Sequence, residues 1–163
     1  MPILKFVVPI FLLLSLACAG EEPVSEEVKS ELRMTIMNAN AATIRAVRAN
    51  DPKILSPLIS GDLLESLSKS IGAAKERGTY AVSELQDLRW GDVRVRGNSA
   101  EVVTTERWQH THYAVGTNKC VMVLPARDVG QTYHLEKTAR GWTIMKGVDD
   151  PDNRPPTPGP CPA

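Results

Sequence analysis

The feature that most restricts the fold of this chain is a change of hydrophobic period near Gly78. Upstream, apolar residues recur at three- and four-residue spacings; downstream they alternate with polar ones. Val28, Leu32, Ile36, Ala39, Thr43 and Val47 form one helical stripe, with Ser25 placed to cap the helix and Glu26 and Glu27 in its first turn. Asn50-Asp51-Pro52 ends this helix and starts a second, short one that runs to about Leu58. Ser60-Gly61-Asp62 opens a third, which buries Leu63, Leu64, Leu67 and Ile71 and stops at Gly78. Consecutive helices followed by consecutive strands predict an α+β fold, three N-terminal helices packed on a curved antiparallel sheet.

The strand half carries its own register. Leu88 to Arg96 and Ala100 to Tyr113 flank Gly97-Asn98, a two-residue hairpin signal. A loop there sets Val95 opposite Ala100, Arg94 opposite Glu101 and Val93 opposite Val102. Leu88 and Trp90 then fall on the wrong face, and a bulge at Gly91 is the expected remedy. Cys120 to Leu124 reads as a strand ended by Pro125. Gln131 to Lys137 and Trp142 to Val148 read as two more, joined by a turn at Ala139-Arg140-Gly141, with Tyr133, Leu135, Trp142 and Ile144 inward. Beyond Val148 the proline density predicts an extended tail that joins no ladder.

The N-terminus reads as an export signal. Lys5 precedes an apolar run from Phe6 to Leu16, shorter than the about 20 helical residues a bilayer core requires. Leu14-Ser15-Leu16-Ala17-Cys18 resembles a bacterial lipobox, which implies lipidation of Cys18 and a membrane anchor. Ordinary cleavage after Ala19 is the alternative, giving a soluble secreted or periplasmic protein. The expected organisation is a signal peptide over 1–17, a tether over 18–24, one α+β domain over 25–148 and the tail over 149–163.

Charge and cysteines narrow the function classes. Lys+Arg and Asp+Glu both number 19, so nothing marks a nucleic-acid surface. With Cys18 assigned to lipid, Cys120 and Cys161 remain, and in an exported chain a bridge between them outweighs a free nucleophilic Cys120.

Certain segments carry a family likeness: Ser60-Gly-Asp-Leu-Leu64, Lys75-Glu-Arg-Gly78, Leu85-Gln-Asp-Leu88, Gly97-Asn-Ser-Ala-Glu-Val102, Thr132-Tyr-His-Leu135 and Gly141-Trp-Thr-Ile144. In this order they resemble the cone-shaped nuclear-transport-factor-2-like (cystatin-like) superfamily. Within it they resemble the intermembrane-space domain of plastid and cyanobacterial division proteins. The likeness covers about Asp51 to Val148 and specifies a fold rather than a chemistry. It implies a concave sheet with a groove or pocket, used to bind a protein partner or small ligand, with no cofactor.

Two sharper chemistries compete with that binding role. Glu106 and His110 share one strand face and could move protons as an isomerase or dehydratase would, against a plainer reading of Glu106 as solvent-facing or paired with Arg89 or Arg107. His110 and His112, joined by His134 from another strand, could bind metal, against a plainer reading as polar residues at a sheet end. Trp90, Trp108, Tyr113 and Tyr133 are the candidate contact aromatics, each equally a candidate for the core.

Overall fold

The computed structural model describes residues 23–151, 153 and 156–162. The expected signal peptide, Cys18 and most of the expected tether lie outside the described residues. Helix α1 spans Glu26–Ala49. Ser25 caps it, accepting from the Val28 N–H at 3.3 Å, and Asn50 ends it in the left-handed conformation. Its buried stripe is Leu32, Ile36, Ala39, Asn40, Ala42 and Ala46.

The expected second helix is instead a single 3-10 turn, Pro52–Leu55, so the fold has two helices and not three. Asp51 does cap it, accepting from the Lys53 N–H at 3.0 Å. Continuation fails because Pro57 has no N–H to donate back to Lys53. The chain then turns to the sheet: Ile144 N–H donates to Leu58 O at 3.0 Å and Ser60 N–H to Ile144 O at 2.8 Å. Helix α2, Gly61–Glu76, follows at once. Gly61 has φ +58°, and a Cβ there would stand 2.9 Å from Met145 O, so only glycine fits this junction.

Four antiparallel strands form one meander in the order β1-β2-β3-β4: β1 Thr79–Arg96, β2 Ser99–Ala114, β3 Cys120–Thr138 and β4 Gly141–Asp149. The hairpin pairs Val95/Ala100, Arg94/Glu101 and Val93/Val102 are all present. Register shifts between Trp90 and Val93, giving the expected bulge over Gly91-Asp92. Strand β1 is longer than its apolar pattern suggested, with a further shift between Leu85 and Asp87.

Pro125 does not end a strand. Strand β3 runs through it, because the ladder steps from His110/Leu124 to Trp108/Arg127 and leaves Pro125-Ala126 in a bulge where a missing N–H costs no pairing. The tail also departs from expectation. Strand β4 pairs only with the Gln131–Thr138 part of β3, and the described tail residues meet the rest of that edge at Gly130 and Val123. Gly159, the residue between Pro158 and Pro160, exchanges two backbone hydrogen bonds with Val123, at 2.7 and 3.3 Å. The Asn153 amide brackets Gly130, donating to its oxygen at 2.8 Å and accepting from its N–H at 3.3 Å. Cys120 and Cys161 are disulfide-bonded, with Cα atoms 5.9 Å apart.

The core fills the hairpin end of the cone, where Leu32, Ile36 and Ala39 of α1 meet Ala100, Val102, Leu135, Trp142 and Ile144 of the sheet. The other end is not filled.

Candidate functional site

Small residues leave the space. Where β2 continues inward beyond Val102, it faces Ala39 and Thr43 of α1, Ala74 of α2, and Ala81 and Ser83 of β1. Such side chains cannot close the gap between helices and sheet at native packing density. The result is a cavity of about 540 Å³, walled mainly by Val47, Leu63, Leu67, Ile71, Leu124 and Val129. Its deep lining residues, among them Asn40, Ile59, Glu106, Tyr133 and Ile144, are buried, whereas Ser70, Arg77 and Pro125 are exposed and mark its mouth. Pro156 of the tail also lines it.

Glu106 forms the polar floor and is 1% exposed, contrary to its reading as solvent-facing or salt-bridged. Alternation along β2 turns it in phase with buried Val102 and Thr104. Arg89 and Arg107 instead share Asp128 on the outer face, and the two guanidinium groups hold that carboxyl below its usual pKa. Four donors converge on Glu106. Tyr133 O–H donates to Oε1 at 2.8 Å, Asn40 Nδ2 at 3.2 Å and Thr104 Oγ1 at 3.2 Å, while Trp108 Nε1 donates to Oε2 at 2.6 Å. An ionised carboxylate offers about four acceptor positions, so this network nearly saturates it. Burial, and then the negative charge of Glu106, push the Tyr133 hydroxyl well above its ordinary pKa. Tyr133 therefore stays a donor.

His110 and His112 continue the same face toward the mouth. The His110 ring stacks on Trp108, with centroids 5.9 Å apart, and its Nδ1 lies 2.8 Å from buried Ser83 Oγ. Burial first, then the neighbouring His112 and Arg127, lower the His110 pKa; burial and Arg77 lower that of His112. Both rings are thus biased toward the neutral form.

The structure brings Glu106 and His110 to one cavity without joining them. They are separated by two strand repeats, about 13 Å, with Trp108 between. His134 does not join the other histidines at all. It lies on the outer face, half-exposed, 3.4 Å from Glu101 across the ladder. Among the described residues no cluster of three or more His, Cys, Asp or Glu could hold a metal ion. The four aromatics also divide: Trp108 and Tyr133 line the cavity, and Trp90 packs beside the core under the Arg33 guanidinium. Tyr113 stacks on Tyr80, one residue out of phase with the cavity-lining pair Ala81 and His112. They make no common contact patch.

Asn40, Thr104, Ser83 and Arg77 were not singled out from sequence. Asn40 had a signal, since a polar residue four places after Ile36 sits on the buried stripe of α1. Ser83 and Arg77 had none, because their value depends on which strand and helix lie opposite.

These features make an α+β cone, a fold shared with solved nuclear-transport-factor-2-like proteins. No protein-family model matches the chain, and no curated protein matches it. Among solved structures it is similar to the intermembrane space region of chloroplast protein ARC6, with TM-score 0.66 and 16% identity over 78% of this chain and 98% of that one. It is also similar to hexachlorocyclohexane dehydrochlorinase LinA-type3 from Novosphingobium barchaimii LL02, with TM-score 0.53 and 12% identity over 82% and 94%. A nuclear-transport-factor-2-like protein from Salmonella enterica gives TM-score 0.50 and 12% identity over 75% and 92%. At such identities the shared property is the fold, which here serves both a dehydrochlorinase and a chloroplast intermembrane-space region.

Proposed function

We propose that this chain is an extracytoplasmic binding module that takes a small, mostly apolar ligand into the open end of its cone. The observation that carries this reading is the roughly 540 Å³ cavity with aliphatic walls and a hydrogen-bonded polar floor. Its size lies within the range of about 300–1,000 Å³ typical of small-molecule sites. Placing Leu67→Trp in the wall is expected to weaken binding of the neutral dye N-phenyl-1-naphthylamine at least about tenfold, because the indole occupies ligand space. Fluorescence titration reads the effect, with the thermal midpoint as a control for folding. A wild-type protein that ignores the dye, or a variant that binds it equally, defeats the proposal.

An enzymatic reading draws on one observation, the His110 ring biased to its neutral form with Ser83 on Nδ1. Such an imidazole can accept a proton at neutral pH, whereas Glu106 is committed to four donors. Under that reading His110→Gln abolishes turnover of a bound substrate and spares its binding.

Compartment and anchorage complete the proposal. A disulfide is at home in an oxidising compartment, in keeping with the apolar N-terminal segment. If Cys18 carries lipid, Cys18→Ser removes acylation and moves the protein from the membrane to the soluble fraction; unchanged partitioning disposes of the anchor.

A further inference from the structure

The cavity is electrically uneven along its length. Its deep floor holds Glu106, the one acidic residue among the described residues that line it. That charge is answered by the Asn40, Thr104, Tyr133 and Trp108 donors and has little acceptor capacity left for a cationic guest. Toward the mouth every ionisable lining residue is basic: Arg77, His110, His112 and Arg127. Arg77 is exposed at the end of α2 and has no ion pair among the described residues. Arg127 has an interaction of its own, yet its charge is still felt at His110. Between floor and mouth lie the aliphatic walls of Val47, Leu63, Leu67 and Ile71.

We infer that the cavity selects an amphipathic anion, with its apolar body against these walls and its negative group at the mouth beside Arg77, His110 and His112. The inference rests on the binding role proposed above and names the chemical class of its ligand. Three physical reasons support it. Apolar walls of this kind bind an aliphatic body without regard to charge, so the head group decides selectivity. With both histidines biased to the neutral form, the fixed charge at the rim is the Arg77 guanidinium, and low-dielectric walls behind it focus its field on an approaching anion. The histidines add directed donors: when Ser83 O–H donates to His110 Nδ1, the proton of that neutral ring resides on Nε2. An arriving anion also offsets the mutual repulsion of the basic groups, so it draws the rings toward their charged form.

Three twelve-carbon probes separate the head group from the tail: dodecanoate, dodecan-1-ol and dodecylammonium. They are titrated calorimetrically into the disulfide-intact protein at pH 7.5 and low salt, below their micelle concentrations. Dodecanoate is expected to bind at least about tenfold more tightly than the alcohol, and the ammonium more weakly than the alcohol. Arg77→Gln is expected to reduce dodecanoate affinity about five- to tenfold while leaving the alcohol unchanged. Raising the salt should narrow the gap between acid and alcohol. Equal affinity for acid and alcohol, or a preference for the ammonium, overturns the inference and leaves the pocket reading intact. The same holds if the neutral dye binds and no probe displaces it. Failure of the dye itself strikes the pocket reading, so the two failures are distinguishable. An Arg77→Gln variant that loses acid and alcohol alike shows damage to the cavity rather than loss of a charge contact, and also overturns the assignment.

Discussion

Replacing Cys161 with serine is expected to lower the thermal midpoint of the folded domain by about 10 °C, at a cost of about 4 kcal/mol. The bond joins residues 41 apart in sequence. Closing a loop of that length removes enough unfolded-chain entropy to account for this figure. The folded side depends on it as well. The tail is proline-rich and contributes little to the apolar core, and among the described residues its backbone anchors on the sheet are Gly159 on Val123 and Asp150 on Gly130. Without the bond, those few contacts must hold the strap alone, and the Cys120–Leu124 edge of β3 loses its cover. Cys120→Ser should give the same loss, and the double variant no more than either single one, since all three delete one constraint. Calorimetry of wild type with and without reductant checks the result independently of mutation. A midpoint that shifts by less than about 2 °C on reduction would show that the strap adds no stability.

Much of the architecture was legible because local signals agreed with one another. Gly97-Asn98 and the pairs flanking it set the register of the first hairpin, and the misplaced Leu88 and Trp90 pointed to the bulge at Gly91. The same alternation that turns Tyr133 and Leu135 inward turns His134 outward, so the separation of the histidines was already implicit in the strand phase. Two local errors concern proline and run in opposite directions, since a helix reading through Leu58 gives Pro57 no weight and a strand reading that stops at Leu124 gives Pro125 too much. Pro57 cuts a helix to one turn, whereas Pro125 is absorbed by a bulge and ends nothing. The polar line of the candidate site was legible along β2, and inward Tyr133 and the apolar Leu63, Leu67 and Ile71 were legible on their own elements. Two-residue spacing placed Glu106, Trp108, His110 and His112 on one face, but burial depth and the facing partners depend on packing between distant elements. The Asn40–Glu106 bond spans 66 residues of sequence. No local pattern in the chain encodes such a contact.

That buried network yields the second large expected effect. Glu106→Ala should cost about 3 kcal/mol in urea-induced unfolding at pH 8. Four donors lose their acceptor, but not all remain orphaned. The Tyr133 hydroxyl can turn to Asn40 Oδ1, 3.3 Å away, and the Thr104 hydroxyl can rotate. The Trp108 N–H and the Asn40 amide have no such freedom, and each unsatisfied buried donor costs about 1–3 kcal/mol. Glu106→Gln should cost less, about 1–2 kcal/mol, because its carbonyl can keep the Tyr133, Thr104 and Asn40 donors while its NH2 meets only the Trp108 N–H. The two carboxylate-free variants also carry a signature in pH. Tyr133 has a folded pKa raised above its unfolded value, first by burial and then by Glu106. Its contribution to stability is therefore complete below about pH 10 and is lost as pH rises through the folded value. Removing the carboxylate removes part of that elevation and leaves the part due to burial. The stability gap between wild type and Glu106→Gln should consequently narrow only once pH passes the folded-state pKa of Tyr133 in the variant; below that point both proteins lose stability in parallel as the unfolded tyrosine ionises. Equal folded-state titration midpoints for Tyr133 in wild type and Glu106→Gln, followed by phenolate absorbance, would mean that the Glu106 carboxyl adds nothing to the elevation at Tyr133.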